Sequence, residues 1–305
     1  MSSFSRRWLS NANVQWIVNS PTPLSPRKTG AVHPKSRRIL PKSIVVVRHG
    51  QSLGNVRESL FAELADWKIP LSKKGHVQAR AAGTKIQDIV GSGPVLFYVS
   101  PYKRTKQTLD EIKSQFSEDS LENTLFTREE PRLREQDFGN FQDVNLIKQF
   151  KKERPKFGRF FYRFPHGGES GADVFDRVSA FCGTFLQDLD QCGEAADDAT
   201  AIFVTHGITA RLFIMRWLHW TVEDFEETLN PPNCGIMHLR RREDGSAYRL
   251  TEESKRLIGA PEDEGIGRAL QIGDMLKKRK RLQPSALSTD ERRAFDSLTE
   301  TAWGI

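Results

Sequence analysis

Three segments of the chain place side chains suited to phosphoryl chemistry directly after short apolar runs. The runs IVVV, LFYV and IFV are followed, in this order, by Arg48-His49-Gly50, Ser100-Pro101-Tyr102-Lys103-Arg104 and Thr205-His206-Gly207. An imidazole can act as a nucleophile, and guanidinium groups bind phosphoryl oxygens through paired N–H donors. The three segments therefore predict a phosphate site if the fold brings them together.

One such segment alone would be a weak indicator, because a histidine at a strand end is more often a hydrogen-bonded structural residue. Here two histidines follow apolar runs, and the Arg104 segment lies between them in the sequence. Ligands bind in open parallel sheets at the carboxyl ends of the strands. We therefore expect Arg48, His49, Arg104 and His206 to converge on one pocket. The glycine after each histidine would permit close backbone approach and open a helix whose N-terminal amides favour an anion.

The order of apolar patterns predicts the elements that would position these residues. Strands are expected at 43–47, 94–99, 124–128 and 200–204, and helices at 73–90, 102–114, 175–189 and 208–218. The segment 234–250, with its Asp244-Gly245 turn, is typical of a hairpin at a sheet edge. Alternating strands and helices indicate a parallel sheet covered on both faces. We predict an α/β fold, a three-layer α/β/α sandwich with a mostly parallel central sheet.

The composition excludes several classes of protein. The 305 residues suffice for a large core. No apolar run approaches the roughly 20 residues of a membrane-spanning helix, so no membrane association is expected. Cys182, Cys192 and Cys234 are odd in number and lack metal-ligand spacing. That usage favours a reducing, intracellular compartment, cytoplasmic in the first instance, over a disulfide framework or a zinc site.

Charge divides the chain into a basic tail at 1–42, a central domain at 43–255 and a helical, basic tail at 256–305. The net charge is +7, and no acidic residue precedes Glu58. The N-terminal tail is expected to be disordered or to be an organelle transit peptide. The basic run 277–281 fits a nuclear localisation signal, a phosphate-backbone contact or, more commonly, a solvated tail. No specific nucleic-acid partner is expected, since the run lacks interleaved aromatic residues.

Six segments together carry a resemblance to a known family. They are, in order, RHGQSLGN, PLSKKGHVQAR, SPYKRTKQT, LREQDFGNFQ, GGES and VTHG. Over residues 43–250 the chain resembles the histidine phosphatase superfamily in its phosphoglycerate mutase-like branch, and it is similar in particular to the phosphoglycerate mutase-like proteins of plants and algae.

The resemblance implies a role for each matching position. His49 would be the nucleophile that becomes phosphorylated, and Glu135 would be the proton donor. The phosphoryl oxygens would be held by Arg48, Arg104, His206 and Gly207, with Asn55 at the margin. No metal and no cofactor is implied, because arginines neutralise the phosphoryl charge.

Chemistry adds expectations about protonation. His49 must be neutral at the attacking nitrogen, so its other nitrogen should donate to a backbone carbonyl. His206 is expected to be cationic beside the phosphate. Phe138 and Phe141 should raise the pKa of Glu135, for which Asp137 is the competing candidate.

The stretch between Glu135 and Gly168 is short for a lid of the kind that phosphoglycerate mutases possess. An open site admits water, so we expect a phosphatase of small anionic phosphorylated substrates. The alternatives are a 2,3-bisphosphoglycerate-dependent phosphoglycerate mutase, a catalytically silent phosphate-binding or scaffold protein, and a nucleic-acid binder. The oligomeric state stays open. The stretch contains basic residues that would either recruit a multiply anionic substrate or form a solvated helix, namely Lys148, Lys151, Lys152, Arg154, Lys156, Arg159 and Arg163.

Overall fold

The computed structural model of the protein describes residues 39–139, 144–243 and 247–261. Most of the two predicted tails, the Asp244-Gly245 turn, Phe141 and the basic run 277–281 lie outside the described residues. Within the described ranges, every helix is too short or too polar to span a membrane.

A single sheet forms the centre of the described structure. Its strands are β1 (Ser43–Arg48), β2 (Val95–Val99), β3 (Thr124–Glu129), β4 (Thr200–Thr205), β5 (Ile236–Arg241) and β6 (Tyr248–Leu250). Their spatial order is β3-β2-β4-β1-β5-β6. The first four strands are parallel, whereas β5 and β6 are antiparallel and form the predicted hairpin at the edge.

Helices connect the parallel strands. Among the described residues they are α1 (Leu53–Val56), α2 (Leu60–Glu63), α3 (Lys73–Val90), α4 (Lys103–Lys113), α5 (Glu118–Glu122), α6 (Val144–Phe157), α7 (Gly171–Cys192), α8 (Gly207–Leu218), α9 (Val222–Glu227) and α10 (Glu252–Ile258). Short 3-10 helices lie at Asp66–Lys68, Pro131–Leu133 and Gly193–Ala196. The predicted helix 175–189 begins earlier, because Ser170 and Asp173 form a capping box at the start of α7.

The two faces of the sheet bury separate apolar clusters. Side chains alternate along a strand, so Val45 and Val47 pack on one face with residues of α3 and α4. Ile44 and Val46 pack on the other face with residues of α7 and α8. These four apolar side chains of β1 are fully buried, which explains the uninterrupted apolar run. The predicted three-layer α/β/α sandwich with a mostly parallel sheet is confirmed.

Candidate active site

A cavity of about 550 Å³ opens beyond the carboxyl end of β1. Five of the predicted catalytic and phosphate-binding residues line it, namely Arg48, His49, Asn55, Arg104 and Glu135. His206 is fully buried beside them, with its ring centroid 5.2 Å from that of His49. Gly207 lies instead in the wall of a neighbouring cavity. The fold thus gathers the three strand-end segments, although their catalytic roles remain a prediction.

His49 is held with one ring nitrogen turned away from the cavity. Its backbone N–H donates to the Thr205 carbonyl on β4 at 2.9 Å, and its Nδ1 lies 2.7 Å from the Gly50 carbonyl. A carbonyl only accepts, so Nδ1 carries the proton and Nε2 keeps a lone pair. Burial, followed by Arg104 and Arg48, lowers the pKa of His49 well below 6.5. The imidazole is therefore neutral at physiological pH, as nucleophilic attack requires.

Backbone contacts fix the turn after His49. A Cβ on Gly50 would lie 2.6 Å from the Gly75 carbonyl oxygen, and a Cβ on Gly75 would lie 2.1 Å from the Gln51 carbonyl oxygen. The Gly50 N–H also donates to Thr108 Oγ1 at 3.0 Å. The close approach expected after the histidine therefore occurs, and it couples the turn to the first turn of α3 and to α4.

His206 has a different hydrogen-bond pattern. Its Nε2 lies 2.8 Å from Ser100 Oγ, and its Nδ1 lies 3.4 Å from Arg104 Nη2. Arginine only donates, so Nδ1 accepts and the Nε2–H donates to Ser100. Burial, followed by Arg104 and His49, lowers the pKa of His206 well below 6.5. In this structure desolvation and neighbouring positive charges disfavour the imidazolium. A His206 that is held cationic by a phosphate stays a prediction.

The two arginines of the cavity are held by oxygen acceptors. Arg48 Nη1 donates to the Pro231 carbonyl at 2.7 Å. Arg104 Nη1 donates to both the carbonyl and Oδ1 of Asp66, at 2.8 and 2.7 Å, and its Nη2 lies 3.3 Å from Asp66 Oδ2. Asp66 lines the same cavity. A phosphoryl group would share the Arg104 guanidinium with this carboxylate.

The segment that carries Glu135 is tied to β4, α7 and α8 through its backbone. Thr205 Oγ1 donates to the Leu133 carbonyl at 2.6 Å, and Thr209 Oγ1 donates to the Arg134 carbonyl at 2.8 Å. Arg177 Nη2 donates to the Glu135 carbonyl at 3.0 Å. These bonds hold the Glu135 carboxylate with Oε2 3.7 Å from His206 Nδ1.

Burial raises the pKa of Glu135, against the opposing effects of Arg104 and of the Gln136 N–H, which donates to Oε1 at 3.0 Å. Phe138 lines the cavity beside Glu135 as expected, whereas Phe141 lies outside the described residues. Asp137, the competing candidate, is exposed, and its Oδ1 accepts from the Gly139 N–H at 2.8 Å. Glu135 is thus the carboxyl whose surroundings suit a proton donor.

The cavity also brings three potential metal ligands together. Side-chain atoms of His49, Glu135 and His206 lie within 4.8 Å of one another. Arg48 and Arg104 flank the same space and would repel a cation. The electrostatics of the cavity therefore favour an anion.

Asn55 lies at the cavity margin, as the resemblance implies. Its Oδ1 accepts from the Ser52 N–H at 3.1 Å within the α1 capping box and lies 3.3 Å from Asn233 Nδ2. The side-chain oxygen is thus engaged, and the amide Nδ2 is the group that could donate to a phosphoryl oxygen.

Seven lining residues were not singled out in the sequence, namely Ser52, Gly54, Val56, Glu58, Phe61, Asp66 and Asn230. Lys151 Nζ on α6 donates to Glu58 Oε1 at 2.9 Å, and both residues line the cavity. The stretch between Glu135 and Gly168 contains the 14-residue helix α6, and its Lys151 contributes to the cavity wall. That the stretch has little length for a lid stays a prediction. No periodic pattern marks Asp66 or Glu58, although the basic residues of α6 had been singled out.

Comparison with known proteins agrees with this geometry. The family model described as "Histidine phosphatase superfamily (branch 1)" matches residues 44–253. The chain belongs to the histidine phosphatase superfamily. It is 43% identical to the phosphoglycerate mutase-like protein AT74H of Arabidopsis thaliana, over 65% of this chain and 73% of that protein. This confirms the predicted similarity to plant phosphoglycerate mutase-like proteins.

Two further matches carry names that state an activity. The broad-range acid phosphatase DET1 of Saccharomyces cerevisiae is 29% identical, over 69% of this chain and 88% of that protein. A solved structure of a mycobacterial glucosyl-3-phosphoglycerate phosphatase with VO3 superimposes with a TM-score of 0.53 at 22% identity, over 69% of this chain and 97% of that one. The latter likeness supports the fold alone.

Proposed function

We propose that this histidine phosphatase superfamily member is a metal-independent phosphatase that hydrolyses phosphomonoesters through a phosphohistidine on His49. The observation that carries the proposal is the His49 ring, whose Nδ1 is bound to the Gly50 carbonyl and whose Nε2 is left as a nucleophile beside Arg48 and Arg104. The Glu135 carboxyl completes the set of groups that two successive displacements need.

In the first displacement, Nε2 of His49 attacks phosphorus, and the bond between phosphorus and the ester oxygen breaks. The departing oxygen takes a proton from the Glu135 carboxyl, whose raised pKa favours the protonated form. Arg48 and Arg104 neutralise the charge on the phosphoryl oxygens as it redistributes. The Nδ1–H bond to Gly50 stabilises the positive charge that forms on the phosphorylated imidazole.

In the second displacement, the Glu135 carboxylate accepts a proton from water as the water oxygen attacks phosphorus. The bond between phosphorus and Nε2 breaks, its electron pair returns to His49, and inorganic phosphate leaves. The cycle restores neutral His49 and a protonated Glu135, so no external cofactor is consumed. A relative named as a broad-range acid phosphatase supports this assignment.

The alternative is a 2,3-bisphosphoglycerate-dependent phosphoglycerate mutase. Several bacterial relatives bear that name, and one from Chelativorans is 35% identical over 57% of this chain and 80% of that protein. Those relatives favour this alternative, and Lys151 of α6 contributes to the cavity wall.

The deciding experiment is hydrolysis of 4-nitrophenyl phosphate by the purified full chain in excess EDTA, with His49→Ala beside it. We expect phosphate release that survives the chelator and is lost in the variant. A folded wild-type protein that releases no phosphate would refute the phosphatase. Transfer of phosphate within a phosphoglycerate without release would support the mutase, and phosphate binding without either reaction would indicate a silent binding protein.

A further inference from the structure

Asp66 occupies one of the two arginines of the catalytic cavity. The Arg104 guanidinium donates to the Asp66 carbonyl and to its Oδ1, at 2.8 and 2.7 Å, and its Nη2 lies 3.3 Å from Oδ2. The Arg104 side chain is only 4% exposed, whereas that of Asp66 is 28% exposed and lines the cavity. Both carboxylate oxygens face the guanidinium, as in a paired, charge-assisted contact. The carboxylate therefore takes up N–H donors that a phosphoryl group would need.

Arg104 has further contacts that do not involve this carboxylate. Its Cζ lies 4.7 Å from the centroid of the Tyr102 ring, and its Nη2 lies 3.4 Å from His206 Nδ1. The Tyr102 ring is itself in contact with His206, at 4.9 Å between centroids. The Asp66 carbonyl, a backbone group, accepts from Arg104 Nη1 as well. The guanidinium thus keeps contacts that hold its position if the carboxylate turns away.

The segment that carries Asp66 permits such a turn. Asp66 is the first residue of the 3-10 helix Asp66–Lys68, between α2 and α3. Its carbonyl also accepts from the Ile69 N–H at 3.2 Å, and Ile69 is fully buried. The nearby side chains of Leu64 and Trp67 are 45% and 53% exposed. The backbone is therefore anchored, while rotation about the side-chain torsion can move the Asp66 carboxylate off Arg104.

The charge balance of the cavity shows what this contact does. Three cationic and three carboxylic side chains of the described residues line it, namely Arg48, Arg104, Lys151, Glu58, Asp66 and Glu135. Glu58 accepts from Lys151 at 2.9 Å, and Glu135 is protonated in the proposed cycle before the ester bond breaks. Asp66 is thus the carboxylate that offsets the charge of a phosphate-binding arginine, and it repels a bound phosphate.

We propose that Asp66 is a positioning residue that holds Arg104 while the site is empty, yields it to the phosphoryl group, and takes it back when inorganic phosphate leaves. The proposal rests on the proposed function, in which Arg104 binds phosphoryl oxygens, and adds a residue that this mechanism does not use. Competition by an internal carboxylate weakens the binding of substrate and product alike. Asp66 therefore raises KM and keeps product inhibition low.

Asp197 provides a matched control within the same chain. Its Oδ1 lies 2.6 Å from Arg241 Nη1, and its carbonyl accepts from Arg241 Nη2 at 3.0 Å. Its side chain is 33% exposed, close to the 28% of Asp66. Asp197 and Arg241 both lie outside the lining of the catalytic cavity. Asp197→Asn thus removes a carboxylate from an equivalent arginine pair without touching the phosphate site.

The test is calorimetric titration of inorganic phosphate into the full chain, which needs no hydrolysis. Asp66→Asn keeps the shape of the side chain and removes its charge, so we expect it to bind phosphate about 5- to 50-fold more tightly than the wild type. Asp66→Glu keeps the charge and should stay within about threefold of the wild type, as should Asp197→Asn. Unchanged or weaker binding by a folded Asp66→Asn protein would overturn the proposal, because Asp66 would then only support Arg104.

Steady-state kinetics with 4-nitrophenyl phosphate provide a second readout. In Asp66→Asn, KM and the inhibition constant of phosphate should both fall about 5- to 50-fold. The turnover number kcat should stay the same or fall, since product leaves more slowly. A merely structural defect would instead lower kcat and raise KM, and that pattern would contradict the proposal.

The pH profile supplies a third readout that a structural role would not move. Burial raises the pKa of Glu135, and the charge of Asp66 adds to that rise, against Arg104 and Arg48. His206 Nδ1 lies 3.7 Å from Glu135 Oε2. Without the Asp66 charge, the Glu135 carboxyl loses its proton at lower pH. The high-pH limb of kcat/KM for an alkyl phosphate should therefore move to lower pH in Asp66→Asn, and an unmoved limb would refute a charged Asp66 beside the site.

The outcomes separate this proposal from the proposed function. Tighter phosphate binding by Asp66→Asn, in a protein whose wild type hydrolyses no phosphomonoester, would retain the role of Asp66 and refute only the phosphatase. Hydrolysis by the wild type together with unchanged phosphate binding in Asp66→Asn would retain the phosphatase and refute the role of Asp66. Absence of phosphate binding in both proteins would refute the role of Asp66 and the phosphate site together.

Discussion

The ends of β1 and β4 have nearly the same local sequence but form different hydrogen bonds. In both, an apolar parallel strand leads to a histidine and then a glycine. His49 turns Nδ1 to the backbone carbonyl of Gly50, whereas His206 turns Nε2 to the Ser100 hydroxyl and Nδ1 to Arg104. The same motif thus presents Nε2 of His49 and Nδ1 of His206 to the site.

The difference shows that the neighbours, rather than the motif, decide what each imidazole can do. The ring of His49 lines the cavity, so its free nitrogen can reach a phosphorus atom. His206 is fully buried, with the Glu135 carboxylate 3.7 Å from its Nδ1. We therefore expect His49 to react and His206 to orient the phosphoryl group and Glu135.

Replacing each histidine by glutamine should separate these roles most strongly. His49→Gln should reduce kcat for 4-nitrophenyl phosphate by at least about 10⁴-fold, because no nucleophile remains. His206→Gln should reduce it about 10²- to 10³-fold, the range for removal of one electrostatic contact to the transition state. Of the two variants, only His206→Gln should yield an acid-labile phosphoenzyme when a reaction with labelled substrate is quenched rapidly. Labelling that persists without His49 would contradict the assignment.

Glu135→Gln tests the group that lies beside both rings. For alkyl phosphates, whose leaving oxygen needs a proton, we expect a loss of about 10²- to 10³-fold in kcat. For 4-nitrophenyl phosphate, whose leaving group is stable as an anion, the loss should stay below about tenfold. The loss in kcat is measured in parallel for an alkyl phosphate and for 4-nitrophenyl phosphate. Equal losses for the two substrates would contradict the proton-donor role of Glu135.

The stability of the fold should depend on pH through the two histidines. Their folded pKa values lie well below 6.5. As pH falls below about 6.5, the unfolded chain binds protons at these rings and the folded chain does not, so stability decreases by about 1.4 kcal/mol per pH unit for each histidine. The pKa of Glu135 is instead raised in the folded protein. As pH falls towards the pKa of the unfolded glutamate, the folded chain binds a proton at Glu135 before the unfolded chain does, and stability increases.

Urea unfolding at pH 6.5 and pH 5.5 measures this dependence. Between those values His206→Gln should lose about 1 kcal/mol less unfolding free energy than the wild type, because one depressed imidazole is gone and the unfolded imidazole is already half protonated at pH 6.5. Equal losses of unfolding free energy in His206→Gln and the wild type would show that His206 is not neutral in the folded protein.

The smallest expected effect concerns the bond that fixes the His206 tautomer. Ser100→Ala removes the acceptor of the Nε2–H while keeping the ring in place. We expect kcat to fall about three- to tenfold, in line with the loss of one hydrogen bond. Thr108→Ala, which removes the acceptor of the Gly50 N–H, is the matching change at β1. A larger loss from Ser100→Ala than from His206→Gln would contradict the proposed tautomer.

The strand-end residues could be predicted from the sequence because their signal is local. An apolar run buried on both faces of a sheet reveals its own carboxyl end, where Arg48, His49 and His206 follow. The topology then brings β1 and β4 side by side. The fold and the lining residues Arg48, His49 and Arg104 were accessible in this way, whereas Asn55 and Glu135 were assigned through the family resemblance.

The remaining contacts are set by tertiary structure. Asp66 lies in a short 3-10 helix without apolar periodicity, 38 positions before the arginine it pairs with. Lys151 meets Glu58 across 93 positions. The neutral state of His206 depends on burial among arginines from other elements. No local pattern encodes such distances or charges.

Gly75 carries a consequence for protein engineering. It is the third residue of α3, where replacing glycine by alanine normally stabilises a helix by roughly 0.5–1 kcal/mol. Here the added methyl carbon would lie 2.1 Å from the Gln51 carbonyl oxygen, so the peptide that follows the His49 turn would have to move. A stabilisation library that scores helix propensity would select a change that displaces the nucleophile, although Gly75 lies outside the cavity lining.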